Sequence, residues 1–202
     1  MHVKTADTLW PDTVSPSVKD SIETFFQLLD GHTPEAGKQW SELYLPEGKF
    51  EAFGQTFTGH ESGFTLSPSA LSCQSAFQVP SHSQKLGVKV IRNHILRFWD
   101  SFPGLNHVPA KVYLHRAQGL DVAVITAYEI TFPGGYHVAG ESVAMLEFVE
   151  QNGRLLLASN RLILDPNPLM AGLEAQSSKP QPIQSLAQGN KAAVVHEEHI
   201  SG

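Results

Sequence analysis

One cysteine, Cys73, occurs among the 202 residues. No disulfide can therefore form within the chain, and a reducing compartment is expected. Basic residues are also scarce: 14 Lys and Arg stand against 20 Asp and Glu, for a net charge of −6. They form no cluster able to neutralise a run of phosphates, so no nucleic-acid partner is expected. No stretch approaches the ~18 consecutive apolar residues of a membrane helix. The opening MHVKTADTLW lacks the apolar run of a signal peptide, and no Asn-x-Ser/Thr acceptor occurs. These absences lead to the expectation of a cytoplasmic protein without membrane contact. G-x-S-x-G, Walker, dinucleotide and H-E-x-x-H signatures are missing as well. HEEH, at 196–199, offers two histidines but no third ligand on a fixed element. No metal and no cofactor are expected.

What is present suffices for one folded domain. Hydrophobic residues make up 41% and charged residues 17%, enough for a core and too apolar for wholesale disorder. SPSVKDSIETFFQLLDG, 15–31, reads as a helix: Ser15 caps, Pro16 opens, Gly31 stops, and Val18, Ile22, Phe25, Phe26 and Leu29 form one apolar stripe. TPEAGKQWSELYL, 33–45, repeats that design, with Ala36, Trp40, Leu43 and Tyr44 on a shared face. GKFEAFGQTFTG, 48–59, switches to period two around Gly54 and predicts a short hairpin. The Ser-rich stretch 61–87 is read as an insertion, partly helical or a flexible lid. Residues 88–102 predict a helix with Val88, Ile91, Ile95, Phe98 and Phe102 on one side. Four long strands follow, at 106–117, 120–132, 136–150 and 154–165. Their short turn-rich breaks suggest an antiparallel, strongly curved meander. Residues 1–14 are expected to be a flexible N-terminus and 167–202 a mostly disordered tail.

Helices, hairpin, helix and long meander, in that order, resemble the NTF2-like superfamily over 15–166, in particular its SnoaL-like or ketosteroid-isomerase-like branch. YLPEGKFEAFGQTFTGHES is similar to the first hairpin of that group and EFVEQNGRLLLASNRLILD to its last. The resemblance implies an α+β, NTF2-like cone: a strongly curved antiparallel sheet wrapped around N-terminal helices, enclosing a mostly apolar cavity. Relatives use such a cavity for cyclisation, isomerisation or dehydration, or only to bind or dock. The resemblance also puts Asp165, at the end of NRLILD, where some cyclase relatives carry a catalytic Asp. The Trp of their motif is absent here, their histidine falls near Ala144, and the ketosteroid-isomerase base falls near Ala52.

Strand alternation sorts the remaining side chains. The run LNHVPAKVYLHRA, 105–117, should turn Val108, Ala110, Val112 and Leu114 inward. Lys111, Tyr113 and His115 should face outward, and a bulge before Pro109 could bring His107 to the cavity mouth. Thr126, Tyr128, Tyr136, Ser142 and Asn160 are the polar side chains expected along the cavity, with His94 and Trp99 from the helix. Leu156, Ala158, Asn160, Leu162 and Leu164 form the inward set of the last strand. Apolar surroundings, a proton shuttle at His94 or His107, and Asp165 as base or orienting group would suit cofactor-free acid–base chemistry. Tyr128 and Asn160 would donate to a developing oxyanion. The expected function is therefore a small-molecule biosynthetic enzyme, an isomerase/cyclase or lyase/dehydratase, acting on a hydrophobic polyketide- or terpenoid-like intermediate. The alternative is a non-catalytic ligand-binding or dimerisation module. A homodimer through the outer sheet face is expected from Ala123, Ile125, Ala127, Val143 and Met145.

Overall fold

A computed structural model describes residues 3–59, 90–115 and 120–177. The 61–87 insertion, Cys73 and HEEH lie outside the described residues. The chain begins with helix α1 (Pro16–Leu29), where the Ser15 hydroxyl accepts from Val18 N–H at 3.3 Å. Helix α2 (Pro34–Ser41) is capped by Thr33, whose hydroxyl accepts from Ala36 N–H at 3.1 Å. α2 ends four residues earlier than its pattern suggests. Tyr44 pairs with Leu157, and Leu157 N–H donates to Leu43 C=O at 2.8 Å, so ladder hydrogen bonds claim the backbone that would have continued the helix.

Strands β1 (Tyr44–Ala52) and β2 (Gln55–Thr58) form the expected hairpin. Its two-residue turn, Phe53 and Gly54, has φ of 52° and 72°, the left-handed pair that matches strand twist. Helix α3 (Val90–Ser101) then leads into β3 (Asn106–Leu114), β4 (Asp121–Thr131), β5 (His137–Gln151) and β6 (Arg154–Leu164). β5 and β6 meet through Asn152 and Gly153, again both at positive φ. The six strands lie in the order β2-β1-β6-β5-β4-β3. All pairs are antiparallel except β1 with β6, which is parallel, so the sheet is mixed rather than wholly antiparallel.

Of three register shifts in the sheet, the two in β3 and β6 reverse the expected faces. The β3–β4 register slips at Ala110, between Pro109 and Lys111, and the β5–β6 register slips at Ala158. A single extra residue moves every side chain before it to the other face. Hence His107 and Pro109 point inward, and Val108, expected inside, is 46% exposed, with Ala110 exposed beside it. Val112 resumes the predicted parity. In β6, Leu157 is buried in place of Leu156, while Asn160 keeps its inward position. Lys111, Tyr113 and His115 are exposed as expected, and the Lys111 ammonium lies 4.7 Å from the centre of the Tyr113 ring.

Both chain ends correct the sequence reading. Residues 3–14 are not loose. Leu9 bridges to Lys111, donating its N–H to Ala110 C=O at 2.9 Å and accepting from Val112 N–H at 3.0 Å. Val14 is buried in the core. This segment covers the edge strand β3, whose groups would otherwise be unpaired. Residues 167–177, read as part of a disordered tail, form helix α4 (Asn167–Ser177). It docks through Leu169, Gly172 and Leu173, too few apolar positions to stand out as a period.

Gly172 lets α4 approach closely. A Cβ built there would lie 2.1 Å from Phe132 Cε2, and Phe132 is itself fully buried. Replacing a helical Gly by Ala normally stabilises by about 1 kcal/mol, whereas overpacking a filled site costs about 1–3 kcal/mol. Gly172→Ala is accordingly expected to lower stability by roughly 1 kcal/mol in urea unfolding; a gain instead would show that α4 does not rest on Phe132.

Candidate functional site

Aromatic side chains from the helices and the first hairpin enclose a cavity against the inner face of the sheet. Trp40 is its hub, with ring centroids 5.5 Å from Phe25, 5.1 Å from Tyr44 and 5.5 Å from Phe50. Phe26, Phe53 and Phe98 complete the apolar wall, and the polar lining consists of His94, His107, Ser142 and Asn160. Atom-free space between these side chains totals about 480 Å³, open solvent included, but the centre of a water molecule can sweep only about 30 Å³ of it. The hollow expected for a polyketide-sized molecule is thus largely filled by phenylalanine rings. In this conformation there is room for the reacting end of a ligand and not for a polycycle.

His107 is the best-organised polar group on the wall. Its Nδ1 lies 2.5 Å from Asp30 Oδ1, and its backbone N–H donates to Asp30 Oδ2 at 2.8 Å. Asp30 is the C-cap of α1, and its side chain is only 6% exposed. Burial alone would raise the pKa of this carboxyl. The hydrogen bond and charge of His107, followed by Lys4 and the His107 amide, outweigh burial and hold Asp30 below its ordinary range. An ionised Asp30 is an acceptor, so it keeps a proton on Nδ1, and when the ring is neutral the lone pair is on Nε2, at the opposite edge of the ring. That is the geometry of an oriented general base.

His94 also lines the cavity, but in a different state. Its ring stacks 4.0 Å from Phe57 and 5.3 Å from Phe50. Burial, then the charge of Arg97, pushes its pKa down to about 3. At neutral pH it is an uncharged imidazole with little tendency to take a proton, which leaves His107 as the better shuttle.

Asn160 is 2% exposed and faces Leu146 on β5 and Phe50 on β1. Its Nδ2 donates to the Tyr44 hydroxyl at 3.0 Å, and its Oδ1 is buried with no partner among the described residues. Trp40 Nε1–H is likewise buried and unpartnered. An unsatisfied acceptor and an unsatisfied donor, on two residues of one wall, are unusual in a folded core and suit a polar ligand.

The remaining sequence candidates lie elsewhere. Asp165 is exposed, and its Oδ1 accepts from Asn167 N–H at 3.0 Å, placing the charge at the start of α4 where a helix favours an anion. It does not line the cavity. Tyr136 is 44% exposed in the β4–β5 turn, because β5 begins one residue later than the pattern implied. Trp99 is buried, and its Nε1–H donates to Leu29 C=O at 2.7 Å. Tyr128 sits opposite His107 in the β3–β4 register, and burial followed by the nearby Asp165 raises its pKa. Thr126 is buried opposite Ser142, its hydroxyl without a partner among the described residues. None of these three is part of the lining. The sequence reading missed Asp30, the neighbour of the Gly31 it took as the helix stop. The available signal was an acid at the C-terminal end of a helix, where the dipole disfavours it unless a cation stands nearby. Among the described residues no group of three His, Cys, Asp or Glu is arranged to hold a metal ion, and no helix is long and apolar enough to cross a membrane.

No family model matches the chain, and no curated protein matches it. Solved structures do. A ketosteroid-isomerase-like fold protein from Catenulispora acidiphila, in complex with trimethylamine, is 16% identical, covers 77% of this chain and 92% of its own, and superposes with a TM-score of 0.51. A candidate calcium/calmodulin-dependent protein kinase II association domain from Xanthomonas campestris is 14% identical and covers 82% and 98%, also at 0.51. The protein Aln2 from a Streptomyces species is 13% identical and covers 78% and 97%, at 0.50. The fold is therefore a ketosteroid-isomerase-like α+β fold. At such identities the likeness carries architecture alone, since one fold serves unrelated functions.

The neutral, half-buried His94 has a consequence for stability. Below its ordinary pKa of 6.5 the unfolded chain binds a proton that the folded ring refuses until about pH 3. Stability should therefore fall as pH drops through that window. His94→Phe is expected to flatten the decline between about pH 6 and 4 in urea unfolding; an unchanged slope would show that the ring is not sequestered.

Proposed function

Taking an NTF2-like cone as the premise, we propose that this protein is a cofactor-free acid–base enzyme of the SnoaL-like kind, with His107 as its general base. The observation that carries this reading is the Asp30–His107 pair at the cavity wall. Asp30 orients the imidazole and stabilises the imidazolium formed when Nε2 takes a proton, as positioned carboxylates do for catalytic histidines generally. The Trp40 indole N–H and the Ser142 hydroxyl are the donors available to a developing oxyanion, in place of Tyr128. Asn160 Oδ1 would accept a hydroxyl of the ligand. The reaction class is isomerisation, cyclisation or dehydration: a carbon-bound proton next to a carbonyl is removed and returned, or an oxygen leaves as water. The substrate is a hydrophobic small molecule whose compact reacting end enters the cavity.

The second reading, a non-catalytic ligand-binding or dimerisation module, is favoured by one observation: aromatic rings leave little free volume. In either case the outer sheet face is the proposed homodimer contact, because Val108, Tyr113 and Ile163 are exposed there while Ile125 and Met145 are only half-covered. Ile163→Asp is expected to shift sedimentation toward the monomer; a mass unaltered from a dimer would place the contact elsewhere.

Metabolite profiling of a deletion strain tests the enzymatic reading. An accumulated precursor that disappears on complementation with the wild-type chain, but persists with His107→Gln, is the expected result. Asp30→Asn should retain partial function. With the purified precursor, His107→Gln should lose about 10²–10⁴-fold in turnover, the range for removing a general base. An unchanged metabolite profile, or full activity in His107→Gln, would favour the binding module.

A further inference from the structure

The N-terminal segment reaches the site through a single side chain. Lys4 Nζ donates to Asp30 Oδ2 at 2.7 Å, to His107 C=O at 3.3 Å and to Asn106 Oδ1. Those three acceptors use all three ammonium protons. The side chain is only 20% exposed, so this is not one of the exposed ion pairs that contribute little. The backbone on either side is fixed too. Glu23 of α1 accepts from Lys4 N–H at 2.8 Å and from Thr5 N–H at 2.7 Å. The Thr8 hydroxyl donates to Pro109 C=O at 2.7 Å, and Leu9 pairs with the β3 edge around the bulge.

We propose that Lys4 is a positioning residue for the Asp30–His107 pair, and that the docked segment 3–14 carrying it is a working part of the site. This rests on the reading of His107 as general base. The ammonium and the His107 amide share one oxygen of Asp30, Oδ2, while Oδ1 meets the imidazole. Lys4 therefore locks the rotation of the carboxylate and draws negative charge away from the oxygen that faces the ring. An imidazolium formed during turnover is then held less tightly and returns its proton more readily. The charged and titratable groups facing the pair are Lys4 from the N-terminal segment, Glu23 from α1 and Tyr128 of β4, the register partner of His107. His32 follows α1, with its Nε2 2.9 Å from Leu105 C=O. His94 of α3 lines the same cavity. Lys4 is the cation in direct contact with the carboxylate.

The test is NMR titration of the His107 ring in the full chain, assigned by loss of its signal in His107→Gln. In Lys4→Met the pair should take up its proton at higher pH, with about threefold greater affinity, because the neighbouring cation is gone. Lys4→Arg should titrate as the wild type. Thr8→Val keeps the ammonium and loosens its anchor, and should move in the same direction as Lys4→Met by a smaller amount; it carries the test if Lys4→Met does not fold. An unmoved titration in a folded Lys4→Met chain overturns the proposal, as does a shift that Lys4→Arg fails to restore. The titration consumes no substrate, so its failure leaves the base assignment standing, and failure of the complementation experiment leaves the titration result standing.

Discussion

A carboxylate at the C-terminal end of a helix, withdrawn from water, is unfavourable twice over: the helix dipole repels it and burial removes its hydration. Asp30 occupies this position at the end of α1. It is tolerated because a histidine from β3 and a lysine from the N-terminal segment surround it with donors. That one charge joins three parts of the chain more than twenty residues apart. It fixes how α1 crosses β3, holds the N-terminal segment over the sheet edge, and determines which ring atom of His107 is left free. Buried ion pairs are weak evidence for stability. Retaining one at a cavity wall, where an apolar pair would pack as well, is easier to understand as a requirement of chemistry.

The aromatic wall poses the complementary constraint. Trp40, Phe25 and Phe50 pack at tilted or edge-on angles, as ring quadrupoles favour, and bring two helices and the first hairpin to one place. Their bulk accounts for the small free volume. It also makes the few polar atoms on the wall conspicuous, because among the described residues the aromatic lining offers Asn160 Oδ1 and Trp40 Nε1 no hydrogen-bond partner. A ligand that meets them would exchange unsatisfied groups for satisfied ones, which is where polar selectivity in an apolar site comes from.

Much of the architecture was legible in the sequence, for identifiable physical reasons. Ser15, Thr33 and two prolines marked helix starts. Alternation marked β4 with its inward Thr126 and Tyr128, and short turn-rich breaks marked the ends of the long strands. The site was half legible. His94, Ser142 and Asn160 meet at one cavity as alternation and the helix stripe suggested, and His107 joins them because a bulge turns it inward. Val108 and Leu156 were assigned to the wrong face because each lies on the far side of a bulge, and Ala110 because it is itself the inserted residue; simple parity carries no count of such insertions. Asp165 drew attention at the end of a strand and lies exposed at the start of a helix, whereas Asp30 drew none and meets His107 at the cavity wall. Finding Asp30 needed a contact between residues 77 apart, which no local pattern contains.

The Ala110 bulge also bears on how such a site can arise and disappear. Upstream of it His107 faces the aromatic wall, and downstream of it Val112 does. Deleting one alanine would restore regular pairing and rotate the imidazole out to bulk water, without altering any residue of the aromatic wall. In a lineage of such folds, whether this imidazole faces the aromatic wall can thus be a matter of one codon, with the scaffold left intact.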